Sequence, residues 1–404
     1  MKKLVEIALG IVTAIGGYLE VGSIATAAQA GAEFRFQHLW VVAISTICLI
    51  FIIEQCGRLS AVSRHTITSA VRTSFGISYF AIPTIAVGIV SLLLLASELG
   101  GTALALQLVT GVGFRWWAIP VAALAWLLIW KGRFGVIEKG VSLLGLVAVA
   151  FLVGAARLDP PARELAAALV PTRPSHDSAR YWFIAVSILG ASLTPTLFYF
   201  YSSGAVEDEW DESHIPINRA VSVLGMGFGA VLSGAVLVVA ALVLAPRGIR
   251  VEAYEQVALL LAEPLGAWGF RLFVLTLGIC CFGAAVEVAL SMAYVMAQGL
   301  GWNWSKNDRP RDVARFSLVY TILLPLGAVP LLLGIDPLKI TLVTMALTAV
   351  VLPLVIIPFL IVMNDASRLG EHTNGRVSNV VVSVVVVLAF ITAVVAIPLE
   401  LTGG

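Results

Sequence analysis

The stretch from Gly16 to Glu33, GGYLEVGSIATAAQAGAE, is small and apolar, yet Glu20 places a carboxylate among Gly16, Gly17 and Gly22. A charge at the centre of a membrane helix costs about 2.5–3.5 kcal/mol on insertion scales. It is tolerated where the helix unwinds against a polar cavity, so the glycines point to substrate or proton binding at Glu20. The plainer alternative is a glutamate hydrogen-bonded to a neighbouring helix. A second irregular stretch, ILGASLTPTLFYFYSSGA (188–205), sets Pro195 between Thr194 and Thr196. Proline removes a backbone donor and clashes with the preceding turn, so a break is expected there too. Two further acids lie in apolar surroundings: Glu98 in LASELGG and Glu287 in GAAVEVALSMAY. Each is a candidate for a proton pathway, because desolvation favours a neutral carboxyl. Each is equally readable as a satisfied interhelical partner. Glu54 has Arg58 one turn on, which reads as an ion pair.

The elements that must hold these residues follow from composition. The 404 residues are 59% hydrophobic and 12% charged, with a mean hydropathy of +0.98. A soluble domain carries about 25% charged residues. The chain is therefore expected to be an all-α polytopic membrane protein, with the lipid bilayer as its surroundings. Spans need about 20 apolar residues, and eleven runs qualify, at roughly 4–33, 37–57, 76–108, 114–131, 139–157, 181–204, 220–245, 268–300, 313–335, 338–363 and 378–400. The opening MKK and ATAAQA resemble a signal segment, but Glu20 and the glycines argue against cleavage. Cys48, Cys56, Cys280 and Cys281 fall in or beside apolar runs, as buried thiols rather than a disulfide framework. No basic cluster invites nucleic acid. No nucleophile–base pair, phosphate loop or zinc signature supports an enzyme or a resident cofactor, and the isolated His176 and His214 are assigned no metal. Nothing calls for an obligate protein partner.

The two breaks fall in spans one and six, five apart. Interrupted segments at matching positions of two halves are the best sequence pointer to a transporter's substrate site. Residues 1–158 are thus read as a first repeat, 159–180 as an extracytoplasmic Pro-rich loop with one short helix, 181–365 as an inverted second repeat, and 366–404 as an eleventh span with the C-terminus. With the N-terminus cytoplasmic, 15 of the 25 Lys and Arg residues lie on the inner side. By the positive-inside rule this sets the N-terminus in and the C-terminus out. The acidic run 206–214 then faces the cytoplasm as a solvated loop, a collector of cations, or a salt-bridged gate to the basic loop 306–315.

At the two breaks the chain resembles the natural resistance-associated macrophage protein (NRAMP) family of proton-coupled divalent metal transporters. The family's Asp-Pro-Gly-Asn is matched by Glu20-Val21-Gly22-Ser23, followed by Ala25-Thr26 and Gln29-Ala30-Gly31-Ala32. Its sixth-span pattern is matched by Gly190-Ala191, Thr194-Pro195-Thr196 and Tyr199. SELGGTALAL (97–106), Glu138 and LPLVIIPFL (352–360) fit as well. The resemblance implies a LeuT-type 5+5 inverted-repeat bundle with an eleventh helix, in a bacterial inner or plasma membrane. It carries the metal ligands over to Glu20, Ser23 and Thr194, with carbonyls near Gly17 and Ala191 and with Thr196 alongside. Met345 stands where the family has a tenth-span glutamine. The family's methionine ligand is replaced by Thr194, leaving a set dominated by oxygen that suits hard cations such as Mg or Ca. Of the family's proton machinery only Glu98 is kept: the third-span aspartate falls at Leu95, and the histidines fall at Thr196 and Tyr201.

The leading expectation is a secondary transporter moving a divalent cation, with a bias to Mg, Mn or Ca, by alternating access and with a proton as a possible coupling ion. The alternative is the same fold carrying an organic solute or a metal–organic complex. In that case the positive half-helix ends hold a carboxylate and Glu20 holds an amine or a proton.

Overall fold

The computed structural model describes residues 20–131 and 146–402. Gly17, the first part of span one, and Glu138 lie outside the described residues. In chain order the helices are α1 (Val21–Phe34), α2 (Leu39–Ser63), α3 (Ile67–Thr110), α4 (Phe114–Lys131), α5 (Ala150–Arg157), α6 (Ala162–Ala167), α7 (Ser178–Ser192), α8 (Pro195–Glu207), α9 (Ile215–Val243), α10 (Tyr254–Val257), α11 (Leu259–Leu265), α12 (Ala267–Leu300), α13 (Ala314–Leu332), α14 (Pro337–Met363), α15 (Ala366–Leu369) and α16 (Arg376–Thr402). Among the described residues, eight stretches are long and apolar enough to cross a bilayer, with Ser178–Glu207 counting as one. The segments α1, α4 and 146–157 fill the other positions in the expected order of eleven. The protein is an integral membrane protein.

Burial ranks the spans. The most apolar part of Ser178–Glu207 is 94% buried inside the protein, against 33% for that of α16. The broken span is therefore central and the last span peripheral. α1 is central as well: of its fourteen residues only Glu33 is not fully buried. Its small side chains make this possible, since a Cβ on Gly31 would collide with the Leu237 carbonyl of α9. Small residues let membrane helices approach this closely.

Two boundaries differ from the sequence reading. α3 starts at Ile67, not near 76, because Thr66 caps it by accepting from the Ser69 amide. The helix then bends at Gly76, where φ is +80°, a left-handed value open to glycine. α9 starts at Ile215, and polar Asn218 and Ser222 are carried inside the bundle. Their side chains are satisfied there: Asn218 donates to the Glu54 carbonyl at 2.8 Å, and Ser222 donates to the Asn218 carbonyl at 2.8 Å. The short helix expected in the 157–180 loop is α6. All four cysteines are buried and unbridged.

Candidate substrate site between the two broken helices

The break in the sixth span follows from one residue pair. Thr194 precedes a proline, which disfavours its helical conformation, and it is extended at φ −72°, ψ 120°. α7 ends at Ser192. Pro195 restarts the chain as the first residue of α8, where its missing N–H costs nothing and its fixed φ suits the helix. In the first span Glu20 is extended, at φ −111° and ψ 175°, and α1 begins at Val21.

These two non-helical points meet. The Thr194 hydroxyl lies 3.3 Å from Glu20 Oε1 and 3.0 Å from the Ala191 carbonyl. Glu20 is 5% exposed and Thr194 4%, so the contact is closed off from solvent. Ser23 secures the start of α1: its Oγ accepts from the Glu20 amide at 3.1 Å and donates to the Glu20 carbonyl at 2.9 Å. Thr196 is buried one residue into α8, and its carbonyl accepts from Ser291 of α12 at 2.8 Å.

Met345 of α14 closes the space between the breaks. It is fully buried, and a Cβ built on Gly22 would stand 2.5 Å from its sulfur. Its carbonyl abuts Gly190 of α7 so closely that any Cβ there would overlap it. The tenth-span residue aligned with the family's glutamine thus touches the first turn of α1 and the end of α7.

Glu98 of α3 is fully buried, and its Oε2 faces the Val21 amide at 3.5 Å, at the N-terminus of α1. Among the described residues its Oε1 has no hydrogen-bond partner. The charges of Glu20 and Glu287 both act on it, and that of Glu287 also acts on Glu20. Glu287 lies one turn before Ser291, on the side of α12 that faces α8. The sequence reading gave Cys281 only as a buried thiol, with no place at the site. Its sulfur would meet a Cβ on Gly101 at 2.5 Å, and Val21 Cγ2 touches the same point. A thiol thus stands beside the Glu98 carboxyl. It lies six residues before Glu287, about 240° around the helix, so periodicity relative to that acid does not flag it. Among the described residues, no three His, Cys, Asp or Glu side chains converge closely enough to cage a metal.

The remaining candidates have structural partners. Arg58 pairs with Glu54 at 3.0 Å, as the spacing implied. Tyr199 is buried, and Tyr201 donates to Asn218 Oδ1 at 2.8 Å. His176 stacks on Phe34, and His214 pairs with Asp211. From the acidic run, Glu207 accepts from the Lys306 amide and the Tyr294 hydroxyl, both at 2.6 Å, which ties it to the basic loop. Leu95 packs against Gly327 of α13.

A bundle of membrane-spanning helices whose central span is broken, with a buried carboxylate held at the break, is the architecture of a membrane transporter. Residues 10–398 match the model of the natural resistance-associated macrophage protein-like family, and the chain belongs to it. Curated relatives include the divalent metal cation transporter MntH of Caldanaerobacter subterraneus, 25% identical over 88% of this chain and 84% of its own length. Another is the MntH of Klebsiella pneumoniae, 26% identical over 93% and 89%. A solved Eremococcus coleocola manganese transporter variant shares the fold, with a TM-score of 0.79 and 17% identity over 96% of this chain and 85% of that one. MhsT bound to L-phenylalanine superposes with a TM-score of 0.63 and 16% identity, covering 96% and 97%. The fold is the LeuT type with the eleventh helix expected.

Proposed function

We propose that this protein is a divalent metal cation transporter working by alternating access, and that its cation binds where Glu20 meets Thr194. The observation that carries this reading is the hydroxyl–carboxylate contact joining the start of α1 to the break between α7 and α8. Glu20 supplies the anion. Thr194, Ser23, Thr196 and the Ala191 carbonyl supply neutral oxygens. One carboxylate with retained waters is the coordination style of Mg, which supports a bias to Mg, Mn or Ca. The Met345 sulfur beside Gly22 keeps Mn within the range. Glu98 and Glu287 are the coupling-ion candidates. With Glu20 they place three carboxyls within electrostatic reach of one another, and a divalent cation balances only two charges. The MntH relatives support placement in a plasma membrane, and the Lys and Arg distribution supports an inside N-terminus.

The test is flux into proteoliposomes, with Mg and Mn run side by side, with and without a pH gradient, for wild type and Glu20→Gln. We expect metal flux that collapses in the variant. Undiminished flux in Glu20→Gln removes the site assignment. Folded wild-type protein that moves neither metal transfers the reading to an organic solute.

A further inference from the structure

A cavity of about 460 Å³ opens at the end of the bundle where α2 ends and α9 and α16 begin, well away from Glu20. Its lining is graded. Ile50, Phe51 and Val223 form the part deeper in the bilayer, and Val223 is 52% exposed. Glu54, Arg58, Arg219 and Glu371 form the part nearer the helix ends. Ile50 to Arg58 covers about 12 Å of helix at 1.5 Å per residue, the depth over which a phospholipid changes from chains to headgroup.

The signs of the charges select the headgroup. Arg58 is committed: it donates to Glu54, to the His372 carbonyl and, at 2.8 Å, to Asn374 Oδ1. Arg219 is not. Its side chain is 65% exposed, and its Nε is only loosely paired with Glu54 at 3.5 Å, so its terminal nitrogens are open to an anion. Glu371 is exposed and makes no hydrogen bond or ion pair with the described residues. A purely anionic headgroup would face Glu371, and a purely cationic one would face Arg219. A phosphate carrying a primary ammonium a few ångströms away satisfies both. A quaternary choline group offers no N–H to the carboxylate, and among the described lining residues there is no Trp or Tyr to cage it, only Phe51 and the His372 imidazole. We propose that this cavity binds phosphatidylethanolamine, with its phosphate on Arg219 and its ammonium on Glu371.

The headgroup would rest on a chain of hydrogen bonds reaching the broken span. The Glu54 carbonyl accepts from Asn218, and Asn218 accepts from Tyr201 of α8, both at 2.8 Å. Lipid occupancy would thereby favour the packing of α2, α8 and α9 seen here.

The test is competition against phosphatidylethanolamine labelled on its acyl chain, bound to the full chain in detergent. The competitors are unlabelled phosphatidylethanolamine, phosphatidylcholine, phosphatidylglycerol and soluble phosphoethanolamine. Phosphatidylethanolamine is expected to compete about tenfold better than the other two lipids, the worth of one charge-assisted hydrogen bond. Glu371→Gln should erase its advantage over phosphatidylcholine, and Arg219→Gln should weaken both. Both side chains are exposed, so the lipid-free melting temperature should hold. Equal competition by phosphatidylethanolamine and phosphatidylcholine overturns the proposal, as does an advantage that survives both substitutions. Preference for phosphatidylglycerol overturns it in favour of a simple basic site. Competition by phosphoethanolamine as strong as the lipid's shows a small-molecule site instead.

Discussion

Thr194→Val keeps the side chain's shape and removes the one hydroxyl that links the two breaks. That hydroxyl has a single proton and two acceptors, the Ala191 carbonyl at 3.0 Å and Glu20 Oε1 at 3.3 Å, so it serves one of them at a time. When a cation binds, the proton can turn to Ala191 while an oxygen lone pair and the Glu20 carboxylate both face the metal. Valine removes that ligand and leaves a buried acceptor unpaired, a loss of about 1–3 kcal/mol. At 1.4 kcal/mol per decade this raises the cation Kd about 5- to 150-fold. Thr194→Ser, which keeps the hydroxyl, should stay within about threefold of wild type. Calorimetric titration of Mg and Mn, with flux KM as the second readout, measures both variants. The Glu20→Gln/Thr194→Val double variant should lose less than the sum of the singles, because contacting groups are not additive. Wild-type affinity in Thr194→Val refutes the ligand role. A serine variant as weak as the valine one assigns the loss to packing.

Three other perturbations probe the surroundings. Met345→Leu conserves volume and should cost under about 1.5 kcal/mol of stability. It is expected to lower Mn flux relative to Mg in direct competition, and an unchanged ratio would show that the sulfur does not reach the cation. Gly190→Ala drives a Cβ onto the Met345 carbonyl, a backbone atom that cannot move aside. A loss of about 3 kcal/mol or more is expected, read as a lower melting temperature with failed transport, and a wild-type melt would mean that α7 and α14 do not close this tightly. In the turn before α2, His38 is fully buried, its Nε2–H donates to the Tyr181 carbonyl at 3.0 Å, and burial pushes its imidazole from 6.5 down to about 4. Because the folded value is the lower one, stability is complete above about pH 6.5 and falls as the pH drops toward 4, by on the order of 3 kcal/mol. Melting curves across that range should slope for wild type and flatten for His38→Gln; equal slopes would clear His38.

The sequence alone determined the membrane class, the order of the spans and the break at Pro195. Each is a local consequence of composition or of proline's missing donor, and proline acts wherever it stands. It also identified Glu20, because a carboxylate among glycines in an apolar run is costly enough to need a reason. Tertiary structure decided which residues stand together. Thr194 meets Glu20 across 174 positions of chain, and nothing local to either residue encodes that meeting. Met345 reaches both breaks because Gly22 and Gly190 leave room for it on two different helices. Cys281 comes to Glu98 because Gly101 lets α12 lie close to α3. Helix periodicity fixes which face a side chain occupies, but only the packing of one helix on another fixes what that face touches.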